Sequence, residues 1–218
     1  MTYWFYDLVK FVLRLFFRLG FGLEVLGREH VPKRGAFIVA ANHVSFLDPP
    51  LVGVVCPRRL RFLARADLYH HPLLGAFLRG IHAIPLQRDA ADLAAVRAAL
   101  SSLRSGRAVA MFPEGGRQFS GQLGLAKPGV GLLADTAQTP IIPALVQGTF
   151  QALPPGARRL RRAKIRVAFG EPIPYTRNSS SSARAHHEAL ARAVTRSWRD
   201  LAERREDDRP HAQEKGPR

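Results

Sequence analysis

The 218-residue chain carries 33 Lys+Arg against 17 Asp+Glu, a formal net charge of +16 supplied mostly by arginine, with 46% hydrophobic residues. That length supports one domain with a full core, and that charge turns the search for partners toward polyanions and anionic lipid surfaces. Its single cysteine, Cys56, excludes an internal disulfide and a cysteine metal site; standing before Pro57, it reads as a small buried residue in a reducing compartment.

Residues 3–19 are dense in aromatic and aliphatic side chains, and their only charges, Asp7, Lys10, Arg14 and Arg18, recur at steps of three, four and four. That spacing gathers the charges on one helical face and leaves the rest to Trp4, Phe5, Leu8, Phe11, Leu15 and Phe16. No uncharged stretch here approaches the roughly 20 residues a spanning helix needs. Lys and Arg interrupt the apolar run and no small-residue cleavage site follows, which argues against a signal peptide. The pattern predicts a helix lying in a membrane interface, aromatics inserted and cations at the headgroups, ending at Gly20 and Gly22.

Short strands are expected at 23–26, 36–41, 60–66, 83–86, 108–112, 141–146 and 164–169. Helices are expected near 72–79, over 90–103, where Leu93, Val96, Leu100 and Leu103 recur at helical steps, and over 130–137. Helices alternating with short apolar strands give an α/β fold: a single domain with a mostly parallel or mixed central sheet flanked by helices. The expected layout is an interfacial helix at 1–22, a catalytic domain at 23–175, a linker and helix at 176–202, and a charged, disordered tail at 203–218. There is no internal repeat.

Chemistry concentrates after the 36–41 strand, in Asn42-His43-Val44-Ser45-Phe46-Leu47-Asp48. A neutral imidazole oriented by a carboxylate can take a proton from a hydroxyl. On a regular helix, residues five apart diverge by about 140°, so His43 and Asp48 meet only if the backbone turns between them. Pro49-Pro50 is expected to forbid a continuing helix. Farther on, Phe112-Pro113-Glu114-Gly115-Gly116-Arg117 follows a strand directly. Its adjacent glycines let the backbone approach a ligand, and Arg117 can bind a phosphate bidentately. Arg88 closes another strand, and Lys127-Pro128-Gly129 opens a helix whose amino terminus favours an anion. The P-loop pattern is absent.

N-H-x-x-x-x-D at 42–48, the strand ending in Arg88, F-P-E-G-x-R at 112–117, K-x-G at 127–129 and T-P-I-I-P at 139–143 together resemble the glycerolipid acyltransferases, the 1-acylglycerol-3-phosphate acyltransferase family. The resemblance spans about residues 23–175, and motifs in the right order are far more specific than any one of them. It implies His43 and Asp48 as the catalytic dyad. It implies Arg88, Glu114, Gly115, Gly116, Arg117 and Lys127 around a glycerol phosphate, and 139–143 on the acyl side. It implies acyl transfer from an acyl thioester, acyl-CoA or acyl carrier protein, to a lysophospholipid hydroxyl, giving phosphatidic acid. No cofactor and no metal are expected, and the location implied is peripheral, on the cytoplasmic face of the cell membrane. Two positions depart from the pattern: Gly116 stands where the family usually has Thr, and Gln87 where an acid often precedes the arginine.

A hydrolase would use the same His–Asp pair but needs a positioned serine; no G-x-S-x-G elbow occurs, and Ser45 is the nearest candidate. The cluster Arg158, Arg159, Arg161, Arg162, Lys164 and Arg166 has no interleaved aromatics and matches no nucleic-acid module. A membrane phospholipid surface, not nucleic acid, is therefore the expected macroscopic partner.

Overall fold

The computed structural model describes residues 4–87, 93–176 and 182–207. In chain order the elements are α1 (Trp4–Phe21), β1 (Glu24–Leu26), β2 (Ile38–Ala41), α2 (Asp48–Val55), β3 (Leu60–Arg65), α3 (Pro72–Gly80) and β4 (Ile84–Leu86). There follow α4 (Leu93–Arg104), β5 (Ala108–Met111), α5 (Gly129–Ala137), β6 (Ile141–Gln147), the single turn α6 (Thr149–Ala152), β7 (Arg166–Phe169) and α7 (Ala183–Asp207). The strands form one sheet in the order β1-β7-β6-β2-β5-β3-β4. It is mixed as expected: β6, β2, β5, β3 and β4 run parallel, while β7 is antiparallel to β6 and carries β1 parallel to itself.

Helices cover both faces, and strand alternation sorts the core between them. Val39 and Ala41 of β2 join the cluster with α1 and α2, while Ile38 and Ala40 join the one with α4, α5 and α7. Every residue of β2 is buried, which is what a central parallel strand requires. The closing helix α7 belongs to this core. Its Trp198 is fully buried and its indole N–H donates to the Ala40 carbonyl at 3.1 Å. Burial of such a ring stabilises by about 4–6 kcal/mol as an upper figure. The helix also extends to Asp207, past the expected end, so part of the charged segment expected to be disordered is helical. The rest of that tail, 208–218, and residues 177–181 of the expected linker lie outside the described residues.

Pro49 and Pro50 do not forbid a helix; they begin one. They occupy the first turn of α2, where the backbone N–H groups have no intrahelical partner and a fixed φ near −65° is already helical. In α4 the expected leucine stripe is displaced. Leu93 is exposed, and Ala95, Ala99 and Leu103 make the buried face, because small side chains let the helix lie close against its neighbours.

Helix α1 is docked on one side and bare on the other. Tyr6, Phe17 and Phe21 are buried with Leu13 packed against the core, and Leu60 N donates to the Tyr6 hydroxyl at 3.0 Å. The charged edge is partly taken up by that docking: Arg59 Nε donates to Asp7 at 3.0 Å, and Lys10 donates to the Cys56 carbonyl. Phe5, assigned to the outer face, packs edge-on against Phe77 instead. Trp4, Leu8, Phe11, Val12, Leu15 and Leu19 remain exposed, Phe11 by 67% and Leu19 by 76%. No helix among the described residues is long and apolar enough to cross a membrane.

Candidate active site

The site forms at the carboxyl ends of β2 and β5. Where β2 stops, the Asn42 side chain continues the ladder: its amide donates to Val146 O at 3.0 Å and accepts from Val146 N at 2.7 Å. The backbone after Asn42 is thereby released from the sheet and turns. Asp48 N donates to Ser45 O at 3.3 Å, and the buried Ser45 hydroxyl donates to Leu153 O at 2.7 Å. The turn brings together what a continuous helix would separate. Asp48 Oδ2 accepts from His43 Nδ1 at 2.9 Å and from Val44 N and Ser45 N at 2.7 Å each. Asp48 is fully buried while the His43 side chain is 16% accessible. With Nδ1 donating to the carboxylate, Nε2 holds the lone pair and can act as the base.

The imidazole is held from several directions. It stacks on Phe112, centroids 4.4 Å apart and planes at 30°. His43 N donates to Glu114 Oε2 at 2.7 Å, and His43 O accepts from Gln118 N at 2.7 Å. Glu114 Oε1 accepts from Gly124 N at 2.9 Å. Glu114 is thus turned inward, buried, and ties the dyad loop to the 112–124 segment. Burial pushes its carboxyl up to about 7; the two backbone N–H groups oppose that rise and the Asp48 charge adds to it.

Of the cationic side chains expected at the site, Lys127 lies over the glycine turn and Arg117 over the dyad loop. Gly115 has φ +79°, and a Cβ there would lie 2.7 Å from Lys127 Nζ, so the turn needs glycine both for its backbone and for the ammonium lying over it. Lys127 N donates to Pro113 O at 2.8 Å, holding the start of α5 against the turn. Arg117 lies over the dyad loop, its guanidinium carbon 3.6 Å from the Phe46 ring centroid and 5.8 Å from that of Phe119. A Cβ on Gly116 would meet nothing within 4 Å, so the space beside the turn is open. Arg88 lies outside the described residues.

A model of the Acyltransferase family matches residues 22–147, which contain both the dyad and the glycine turn. The chain belongs to the acyltransferase family. This acyltransferase is 28% identical over 162 residues to the 1-acyl-sn-glycerol-3-phosphate acyltransferase of Bacillus subtilis, covering 74% of this chain and 78% of that one. It is 32% identical over 157 residues to the enzyme of the same name from Limnanthes alba, covering 71% of this chain but 55% of the plant protein, about half its length. The crystal structure of the 1-acyl-sn-glycerophosphate (LPA) acyltransferase PlsC from Thermotoga maritima superposes with a TM-score of 0.74 at 28% identity, over 91% of this chain and 79% of that one.

Within the acyltransferase, the segment expected on the acyl side is largely buried. Residues 139–143 begin β6, whose Ile141 pairs with Ile38 at the start of β2, and Ile141 and Ile142 are fully buried. The segment runs alongside β2 as far as Pro143, which pairs with Ala40, and its two isoleucines pack in the core. Ser45 is removed from hydrolase chemistry, because its buried hydroxyl donates to a carbonyl and not to His43. The aromatic partners, Phe112 under the imidazole and Phe46 and Phe119 around Arg117, had no legible role in the sequence. The signal available was their place: one ends the β5 segment, one sits inside the dyad loop, and one lies two residues beyond the arginine.

Proposed function

We propose that this acyltransferase moves an acyl group from an acyl thioester to the free hydroxyl of 1-acyl-sn-glycerol-3-phosphate, giving phosphatidic acid. The observation that carries the reading is the His43–Asp48 pair beside Arg117 and Lys127: a base with its tautomer set, next to cations suited to a phosphate. His43 Nε2 takes the hydroxyl proton and the acceptor oxygen attacks the thioester carbonyl. The tetrahedral intermediate collapses with cleavage of the C–S bond, and the imidazolium returns its proton to the departing thiolate. Asp48 supports the imidazolium while it exists. The acceptor oxygen is itself the nucleophile, so no acyl-enzyme forms, in keeping with the engaged Ser45 hydroxyl and the buried Cys56 thiol.

The acyltransferase acts, in this reading, as a peripheral protein on the cytoplasmic face of the membrane that supplies its acceptor. The outward apolar stripe of α1 supports that location, as do the exposed rings of Phe46 and Phe119 beside the dyad. The test is product mass spectrometry with purified protein, a panel of lysophospholipids, and acyl-CoA and acyl carrier protein donors. Phosphatidic acid is expected, with His43→Ala slowing turnover by about 10²–10⁴-fold. Thioester consumption yielding only free fatty acid, or near-normal transfer by the His43 variant, would overturn the reading.

A further inference from the structure

A second concave site lies at the other end of the parallel strands. A cavity of about 420 Å³ opens where Leu60 and Ala108 begin β3 and β5, whereas the dyad stands past the carboxyl ends of β2 and β5. Lys10, Arg58, Arg59, Arg61 and Arg107 line it together with His82, and Asp7 is the one carboxylate among the lining residues.

Neutral acceptors set the orientation of several of these cations without cancelling their charge. Arg58 donates to Gly35 O, and to Gly106 O at 3.1 Å, Arg61 donates to Ser102 Oγ at 3.4 Å, and Lys10 donates to Cys56 O. Burial holds the Lys10 ammonium below its ordinary value. Burial, then the charges of Arg61 and Arg107, does the same to the His82 imidazole. Gathering five cations around one carboxylate in a cavity is unfavourable by itself, and an anion entering it relieves the repulsion.

We propose that this cavity is an anion site, separate from the dyad, that takes a phosphate group through the guanidinium and ammonium groups of Arg61, Arg107 and Lys10. Planar, oriented guanidinium donors suit phosphate oxygens better than a diffuse surface charge does. Two sources present that chemistry. One is a lipid headgroup: α1 forms a wall of the cavity through Asp7 and Lys10, and the neighbouring Leu8 and Phe11 belong to its exposed apolar stripe. The other is a soluble phosphate. Neither depends on which acceptor the dyad acylates.

The test uses the full chain and Arg61→Gln, Arg107→Gln and their double variant, with Arg107→Lys keeping the charge and Arg117→Ala perturbing the dyad end. Pyrophosphate binding is followed by titration calorimetry. Sedimentation is measured with vesicles of phosphatidylcholine alone and of phosphatidylcholine mixed with phosphatidic acid. Pyrophosphate should bind the wild type, Arg107→Lys and Arg117→Ala, and weaken roughly tenfold for each of Arg61 and Arg107 neutralised, with thermal unfolding and acyl transfer in detergent unchanged in the Arg61 and Arg107 variants. If the double variant also loses its preference for the acidic vesicles, the ligand is a lipid headgroup; if it loses only pyrophosphate, the ligand is soluble. Anion binding that survives the double variant, or that disappears only in Arg117→Ala, overturns the proposal. So does a wild type that neither binds pyrophosphate nor prefers acidic vesicles.

Discussion

Asp48→Asn separates the charge of the dyad from its geometry. An asparagine with its oxygen at the Oδ2 position still accepts from His43 Nδ1, Val44 N and Ser45 N. Its NH2 then takes the Oδ1 position, which is buried and meets no hydrogen-bond partner, so the folding penalty should be about 1–3 kcal/mol. The catalytic penalty is separate. A carboxylate and an imidazolium with charge centres about 4 Å apart attract by roughly 4 kcal/mol at an effective dielectric constant of 20. If half to three-quarters of that attraction is present when the proton is in flight, about 2–3 kcal/mol is lost, or roughly 30- to 150-fold in kcat. Asp48→Ala, which leaves all three donors without their acceptor, should lose about 3–5 kcal/mol of stability as well. The assay is thiol release from the thioester at saturating acceptor, alongside urea unfolding of each variant. A folded Asp48→Asn enzyme with kcat within roughly threefold of wild type would show that the charge contributes nothing to the transition state, and the assignment of Asp48 would fail.

Glu114→Gln tests the buried brace through pH. The folded carboxyl is raised from its ordinary 4.5 to about 7. Its contribution is therefore fully present below pH about 4.5 and lost as pH rises through about 7, so the stability gap between wild type and variant should narrow by about 2 kcal/mol after solvent screening. A gap that widens with pH in urea melts would mean that the two backbone N–H groups favour the ionised form after all. Phe46→Leu removes the face on which Arg117 lies and should raise the acceptor KM about 3- to 10-fold with kcat retained; a changed acyl-chain preference at constant KM would refute that role. Phe11→Asp with Leu15→Asp should abolish sedimentation with vesicles while leaving unfolding by urea within about 0.5 kcal/mol of wild type, since both side chains are exposed. Gly131→Ala should destabilise by about 1–3 kcal/mol, because its Cβ would sit 2.4 Å from the His187 carbonyl where α5 crosses α7.

Much of the fold and the site was legible in the chain because the relevant patterns are local. Short continuous apolar runs marked β2 and β6, glycines marked the turn at 115 and the end of α1, and the residue types at 43, 48, 114, 117 and 127 offered an imidazole, two carboxylates and two cations. The errors arose where one local pattern admits two structures. A proline pair both stops a helix and starts one, and only the turn at Ser45, braced by Leu153 from 108 residues away, makes Asp48 a helix start. A charged stripe on α1 can face water or the protein. Arg59 and the Cys56 carbonyl engage Asp7 and Lys10, while Arg14 and Arg18 stay exposed together with the apolar stripe.

By itself the sequence determined the chemistry on offer: which side chains can take a proton, which can hold a phosphate, and which helix is amphipathic. Tertiary structure alone decided their arrangement. The Asn42–Val146 pairing spans 104 residues and the His43–Glu114 bond 71, and such contacts follow from which strands lie side by side in a parallel sheet. That register is set by packing of the whole core, so no window along the chain contains it.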